Sequence, residues 1–154
     1  NSQTTGSMVA HLTKNGDTHW LTGTAAPCTS IFKPIWIDSG LPDLGPAPTG
    51  TYDSATLWWH HENLHREVLR DYARRIEAVQ VRQKHHEEDF ITDVAALAQG
   101  ALDARGAFTK ACFDVVEQAE AETLSQIQDQ PIEKGRPLLH KIAWKRFDKK
   151  AQRA

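Results

Sequence analysis

The hydrophobic pattern of the sequence changes near residue 54, and this change constrains the fold more than any other feature. From Leu57 to Val79, apolar side chains recur at three- and four-residue steps, the period of an amphipathic helix. The stretch 38–53 is rich in Gly and Pro and has too few apolar residues to pack a core. The sequence therefore predicts an α+β protein with antiparallel strands over 1–37, a linker over 38–53 and a helical layer over 54–154.

The strands are predicted from short β-prone runs and their turns. The runs 7–12 and 18–24 flank an Asn-Gly pair at 15–16, whose residues tolerate the positive φ of a tight turn. This pattern predicts a β-hairpin. A third extended segment covers 30–37 and contains Pro34, which lacks a backbone N–H and must lie at an edge or a bulge of the sheet.

The first long helix is predicted to begin after Ser54, whose hydroxyl can accept a hydrogen bond from a free N–H of the first turn. Its pattern continues to Leu97. Gly100 and Gly106 then predict a break, after which a second helix runs toward Pro131. Two helices and a few strands form a thin core, so we expect part of the fold to lie outside this chain.

The tail over 138–154 is predicted to be a basic amphipathic helix. Its apolar face comprises Leu139, Ile142, Ala143 and Phe147. Such a face is compatible with an alternative function, a non-catalytic interaction or regulatory module in which the helices and the basic tail dock a partner. The basic residues are Lys141, Lys145, Arg146, Lys149 and Lys150.

Composition excludes some partners. The chain has 154 residues, which suits one domain or part of a larger one, and its net charge of −2 gives no long-range attraction to nucleic acid or to an anionic membrane. No apolar run is long enough to span a bilayer. Cys28 and Cys112 are far apart, and two free buried thiols are favoured over a disulfide. We therefore expect a cytoplasmic protein with no nucleic-acid and no membrane partner, and an oligomer is compatible with the sequence.

The segment 61–65 matches the zinc-protease pattern H-E-x-x-H. On a helix, His61 and His65 are one turn apart and point the same way, so both imidazoles could bind one Zn²⁺. Glu62 would then act as the general base on the metal-bound water. A zinc metallopeptidase is therefore one alternative function.

Other residues argue against a zinc site. A catalytic zinc needs a third protein ligand, and no H-x-x-G-x-x-H extension follows the motif. His85, Glu87 and Glu88 continue the same helix and would be too far away. Arg66 and Glu67 indicate a solvated helix face. We therefore favour a charged helix surface without metal.

Three segments occur in a characteristic order. They are 3–10 (QTTGSMVA), the pair 20–24 (WLTGT) with 27–34 (PCTSIFKP), and 57–66 (LWWHHENLHR). Together they resemble the C-terminal portion of the secernin and dipeptidase family of cysteine peptidases with an N-terminal nucleophile. The resemblance covers about residues 1–72 well, and the later helices only in general character.

The resemblance implies a four-layer αββα sandwich in which these strands complete a sheet and the helices pack outside it. It implies that segment 57–66 opens a structural helix and binds no zinc. It also implies that a Cys at the mature N-terminus cleaves an amide through a thioester, with its own α-amino group as base. Asn1 is not a nucleophile, and Cys28 lies in a scaffold turn where its thiol is expected to pack. The nucleophile is therefore expected upstream of this chain.

We thus expect the C-terminal scaffold segment of a secernin-like amide hydrolase, a dipeptidase, that is inactive on its own. No catalytic, cofactor-binding or metal-binding residue and no cofactor is assigned to this chain. The expected partners are the missing N-terminal part of the same protein and, for the parent protein, a small peptide or amide substrate. Ser7, Thr22 and Thr24 are expected near the substrate pocket. Since secernins are associated with regulated exocytosis, the resemblance also leaves a regulatory protein open.

Overall fold

The computed structural model describes residues 3–14 and 16–153, and it shows an α+β fold in which a small sheet precedes long helices. The described residues form three strands, β1 (Met8–His11), β2 (Thr18–Leu21) and β3 (Lys33–Ile35). Four helices follow: α1 (Leu57–Val68), α2 (Tyr72–Leu97), α3 (Leu102–Gln128) and α4 (Leu138–Lys150). Within the described part of the chain, no helix has both the length and the apolar character needed to cross a membrane.

The predicted hairpin is present, with β1 and β2 antiparallel and Met8 paired with Leu21. Gly16 adopts a φ of 126°, as its place in the predicted turn suggests, while Asn15 lies outside the described residues. β2 is shorter than predicted, because Gly23 has a φ of 64°, which is incompatible with an extended strand.

β3 completes the sheet in the order β1-β2-β3 and pairs antiparallel with β2. Pro34 lies opposite Trp20 on this outer strand, which confirms its predicted edge position. The strand is flanked by two 3₁₀ turns, Pro27–Thr29 and Ile37–Ser39, which shorten the extended segment predicted for 30–37.

The single first helix predicted from the sequence is wrong, because a 3₁₀ turn at Leu69–Asp71 separates α1 from α2. Asp71 leaves the helical conformation with a φ of −149°. Its Oδ2 accepts hydrogen bonds from the backbone N–H groups of Glu133 and Lys134, at 2.8 and 3.0 Å. These bonds hold the pKa of the Asp71 carboxyl below its ordinary value, and they fix the break against the loop that follows α3.

Two other predicted helix boundaries also differ. The N-cap of α1 is Thr56 and not Ser54, since the Thr56 hydroxyl accepts from the backbone N–H of Trp59. The break predicted from Gly100 and Gly106 is present at Gly100, between α2 and α3, whereas Gly106 lies inside α3. α3 ends at Gln128, before Pro131, as predicted.

The hydrophobic core consists of two clusters that share α3. One lies between the sheet, α2 and α3, and comprises Ile31, Phe90, Cys112, Val116 and Ala119. The other lies between α1, α2 and α3, and comprises Leu64, Val68, Ile76, Val79 and Ile127. The inner side of α1 therefore faces α3, which determines the surroundings of the histidine motif.

Candidate functional site

The charged face of α1 is buried, so the prediction of a solvated helix surface is wrong. His61 is completely buried, and Glu62, His65, Arg66 and Glu67 are each exposed by less than a tenth. Side chains of α3 cover one side of this face, and side chains of α4 cover another. A buried charged residue requires a partner. On one side of α1 the partners include a residue of α3, and on the other side they include a residue of α4.

On the inner side, His61 is the centre of a hydrogen-bond network. Its Nδ1 lies 2.8 Å from Oε1 of Glu120, a buried residue of α3. Its Nε2 lies 3.3 Å from the hydroxyl of Thr29 and 3.3 Å from that of Ser30. The Ser30 hydroxyl is also bonded to that of Thr24. The network joins the turn before β3 to α1 and α3.

Ser30, His61 and Glu120 are in the order of a nucleophile, a base and an orienting acid, but their geometry differs from that of a catalytic triad. The Ser30 oxygen is 3.3 Å from Nε2 and 3.5 Å from Nδ1 of the same ring. It is therefore nearly equidistant from the two ring nitrogens and is not aligned with the lone pair of one of them. Ser30 is also fully buried. The network is structural.

The zinc alternative is not supported by the arrangement of its residues. Both ring nitrogens of His61 have protein partners, whereas His65 faces the ring of Trp144 at 5.9 Å. Of the possible third ligands, Glu87 accepts a hydrogen bond from the backbone N–H of Phe32 at 2.9 Å. In residues 3–14 and 16–153, no group of three or more His, Cys, Asp or Glu side chains is placed to hold a metal ion.

On the outer side, α1 and α4 enclose a cleft of about 440 Å³. Arg66 forms part of its wall, and its guanidinium lies between the rings of Trp59 and Trp144, at 5.4 and 5.0 Å. Arg66 Nε donates to Oε1 of Glu62 at 2.8 Å, and its Nη1 donates to Asp148 of α4. The remaining lining residues are Gln3, His65, Leu69, His140, Ala143 and Phe147.

Three residues in the lining of this cleft each have a buried polar atom without a hydrogen-bond partner among the described residues: Oε2 of Glu62, Nδ1 of His65 and Nδ1 of His140. Burial raises the pKa of the Glu62 carboxyl, and the hydrogen bond and charge of Arg66 partly offset this. Burial also lowers the pKa of His65 to about 4, with smaller contributions from His61 and Arg66, so His65 is neutral at pH 7. The lining of the cleft thus combines the aromatic rings of Trp144 and Phe147 with polar residues, a combination common in small-molecule sites.

The two cysteines are both free thiols, but their environments differ. Cys112 is buried in the core, and burial raises the pKa of its thiol to about 12. Cys28 is exposed, so the expectation that its thiol packs in a buried scaffold turn is wrong. The 3₁₀ turn at Pro27–Thr29 places its side chain toward solvent while Thr29 points inward.

The residues expected near the substrate pocket of the parent protein do not line the α1–α4 cleft. The Thr22 hydroxyl accepts from the backbone N–H of Ser7 at 2.9 Å, and Thr24 bonds Ser30. Both threonines are buried, and neither they nor Ser7 line the α1–α4 cleft. The basic residues of the tail are exposed on α4, as predicted, and so are its apolar residues Leu139 and Ile142.

Sequence reasoning missed three residues of these sites, Glu120, His140 and Trp144, and it also missed the burial of Lys33 in β3. Glu120 had a detectable signal, since it lies at helical spacing between Val116 and Thr123 on the buried face of α3. Lys33 had none. It is buried, its Nζ donates to the carbonyl oxygen of Ile31 at 2.8 Å, and burial lowers its pKa.

The sequence matches no protein-family model, and no curated protein and no solved structure is significantly similar to it.

Proposed function

We propose that this chain is the C-terminal scaffold segment of a secernin-like amide hydrolase, a dipeptidase whose cysteine nucleophile lies upstream. The chain would supply strands and the outer helical layer of an αββα sandwich. The upstream cysteine would attack the amide carbon and form a thioester, with its α-amino group as base. The small sheet followed by long helices supports this proposal in its coarse form.

The outer edge of β1 is the observation that carries the proposal. No strand among residues 3–14 and 16–153 pairs with this edge, and all four residues of β1 are exposed. Met8 and Val9 are more than half exposed, at 63% and 54%. An uncovered edge strand with apolar side chains promotes aggregation, and native proteins usually cover it. Strands added to β1 in a larger sheet would cover it here.

Two further apolar surfaces support a scaffold role. A cleft of about 500 Å³ lies between the hairpin and α2, with Val9, Trp20 and Ile91 in its wall. On α4, Leu139 and Ile142 are 81% and 58% exposed. Contiguous apolar surface of this kind marks a region that a larger assembly buries.

A cytoplasmic location belongs to the same proposal. Cys28 and Cys112 are both free, which suits a reducing compartment.

Hydrogen exchange tests the scaffold role. The backbone amides of 7–12 are compared between the 154-residue chain and the full gene product that contains it. We expect exchange at β1 to be at least about tenfold slower in the full product, because added strands would bond its free edge. Equal exchange rates in the two proteins would contradict the proposal.

The chemistry is tested separately by assaying the full product on dipeptides with and without iodoacetamide. Since Cys28 is exposed and would also react, the assay is run on two proteins, the unaltered full product and its Cys28→Ser variant. We expect hydrolysis that Cys28→Ser leaves intact and that iodoacetamide abolishes in both backgrounds. Hydrolysis that survives alkylation, or sensitivity that disappears with Cys28→Ser, would eliminate an upstream cysteine nucleophile.

A further inference from the structure

The solvent-exposed face of α4 combines apolar and basic side chains. Leu138, Leu139 and Ile142, in the first half of the helix, are all more than half exposed. A groove of about 470 Å³ follows this face, and its lining residues are Leu139, Ile142, Ala143, Arg146, Phe147 and Lys150. Exposed apolar side chains that cluster in this way mark an interaction surface.

Another face of α4 is fixed against α1, so the fold determines which residues of α4 face outward. Asp148 accepts a hydrogen bond from Nη1 of Arg66, and the guanidinium of Arg66 lies 5.0 Å from the ring of Trp144. Just after the helix, Nε of Arg153 donates to Oδ1 of Asn63 at 2.8 Å. The exposed face of α4 is therefore a defined surface of the protein.

The positive charge of this surface is not compensated by the fold. Five basic residues of α4 are exposed: Lys141, Lys145, Arg146, Lys149 and Lys150. None of the five forms an ion pair with a carboxylate in the described part of the chain. Asp148, the one acidic residue of the helix, pairs with Arg66 and Arg153 instead. A partner that carries negative charge would therefore complement this face.

The position of Arg146 indicates what kind of partner suits the surface. Lys149 and Lys150 lie in the last turn of α4, where a cation stabilises the helix through its dipole without any partner. Arg146 lies before that turn and lines the groove one turn after Ile142. A guanidinium binds a carboxylate through two parallel hydrogen bonds. The partner must therefore place carboxylates beside apolar side chains.

Other occupants of the groove fit these observations less well. A second copy of α4 would add five more basic residues and no unpaired carboxylate of that helix. A membrane would accept the apolar residues, but Arg146 and Lys150 line the same groove as Leu139 and would be drawn toward the hydrocarbon. A nucleic acid would bind the cations through its phosphates and leave Leu139 in water.

We propose that the exposed face of α4 docks an acidic amphipathic helix of a partner protein. The apolar side chains of that helix lie against Leu139, Ile142 and Phe147, and its carboxylates bind Arg146 and Lys150. In this mode of recognition the anchoring residues of the docked helix recur at three- and four-residue steps. The interaction goes beyond the proposed scaffold function, because it uses α4 and needs neither the edge of β1 nor an upstream residue.

The test uses three fluorescein-labelled synthetic peptides of about 16 residues, a length that can form a helix. The first has leucines on one face and glutamates beside them. In the second, glutamine replaces every glutamate, and in the third, serine replaces every leucine. Fluorescence anisotropy with the 154-residue chain at low ionic strength measures the three affinities. We expect saturable binding of the first peptide and at least about tenfold weaker binding of the other two.

Four variants locate the contact on the protein. Ile142→Ser and Arg146→Glu change exposed residues of α4, and each should weaken binding of the first peptide about tenfold. Val81→Ser and Lys84→Glu are the matched controls, because they make equivalent changes at exposed residues of α2 and should leave binding unchanged. All four residues are exposed, so the variants are expected to fold.

Three results would overturn the proposal: no saturable binding of the first peptide, equal affinity for the three peptides, or full affinity in Arg146→Glu. The same titration with vesicles of phosphatidylcholine and phosphatidylserine tests the membrane. Vesicle binding that Arg146→Glu abolishes, without saturable binding of the first peptide, would assign this face of α4 to a membrane surface instead.

Discussion

The Nδ1 atom of His61 lies 2.8 Å from Oε1 of Glu120, and this contact joins α1 to α3 in the interior of the protein. The two side chains are 0% and 5% exposed. His60, the residue before His61, and Glu117, one turn before Glu120, form a pair at 2.9 Å that is 36% and 51% exposed. The same chemistry thus occurs twice between the same two helices, once buried and once at the surface.

Removing one partner should therefore have very different consequences at the two places. Glu120→Ala leaves His61 without its acceptor in a buried site, and we expect the free energy of unfolding to fall by about 3 kcal/mol. Glu117→Ala breaks only the exposed pair and should cost about 0–1 kcal/mol. Urea unfolding of both variants measures this. Equal losses would show that the buried His61–Glu120 contact stabilises the fold no more than the exposed pair does.

The sequence predicted the type of most elements but not the burial of the α1 motif. The hairpin, the edge position of Pro34, the end of α3 before Pro131 and the tail helix all follow from local patterns. The charged residues of α1 looked solvated because their partners are remote in sequence. Arg66, for example, is covered by Trp144 and Asp148 of α4, and no local pattern indicates that contact.

The break between α1 and α2 was missed for the same reason. The apolar stripe continues through Val68 toward Ile76, so the local pattern favours one helix. Two hydrogen bonds from the backbone at Glu133 and Lys134 to Asp71, across 62 and 63 residues, stabilise the break. Tyr72, which has the helical spacing of the stripe between Val68 and Ile76, is 47% exposed.

The start of α1 gives a second prediction, because sequence and structure favour different caps. The hydroxyl of Thr56 accepts from the N–H of Trp59 at 3.3 Å and donates to the carbonyl oxygen of Asp53 at 3.0 Å. Thr56→Ala should lower the free energy of unfolding by about 1 kcal/mol, whereas Ser54→Ala should leave it nearly unchanged. Urea unfolding distinguishes them, and a larger loss in Ser54→Ala would restore the cap predicted from the sequence.

Thiol reactivity gives a third prediction. Cys28 is exposed, whereas burial raises the pKa of Cys112 to about 12 and hides its sulfur in the core. We expect Ellman's reagent to titrate one thiol in the folded chain and two in urea. In Cys28→Ser the folded chain should show no fast-reacting thiol. Rapid reaction of two thiols without denaturant would mean that the cluster around Cys112 opens easily.

The acid sensitivity of the fold gives the fourth prediction, through His65. Burial lowers the pKa of this ring from its ordinary value of 6.5 to about 4. Between these values the unfolded chain binds a proton at His65 that the folded chain does not bind, so the free energy of unfolding falls as the pH falls. Above pH 6.5 and below pH 4 the two states bind this proton equally, so His65 no longer contributes to the change of the unfolding free energy with pH.

Urea unfolding at pH 7 and pH 4.5 measures this effect. Between these pH values the unaltered chain should lose about 2 kcal/mol more stability than His65→Gln, which cannot bind the proton. His85→Gln is the matched control, because His85 is exposed on α2 and its replacement should leave the pH dependence unchanged. If His65→Gln loses as much stability as the unaltered chain, then His65 is protonated in the folded protein. Its Nδ1 would then be a donor, and the cleft beside α4 would carry an additional positive charge.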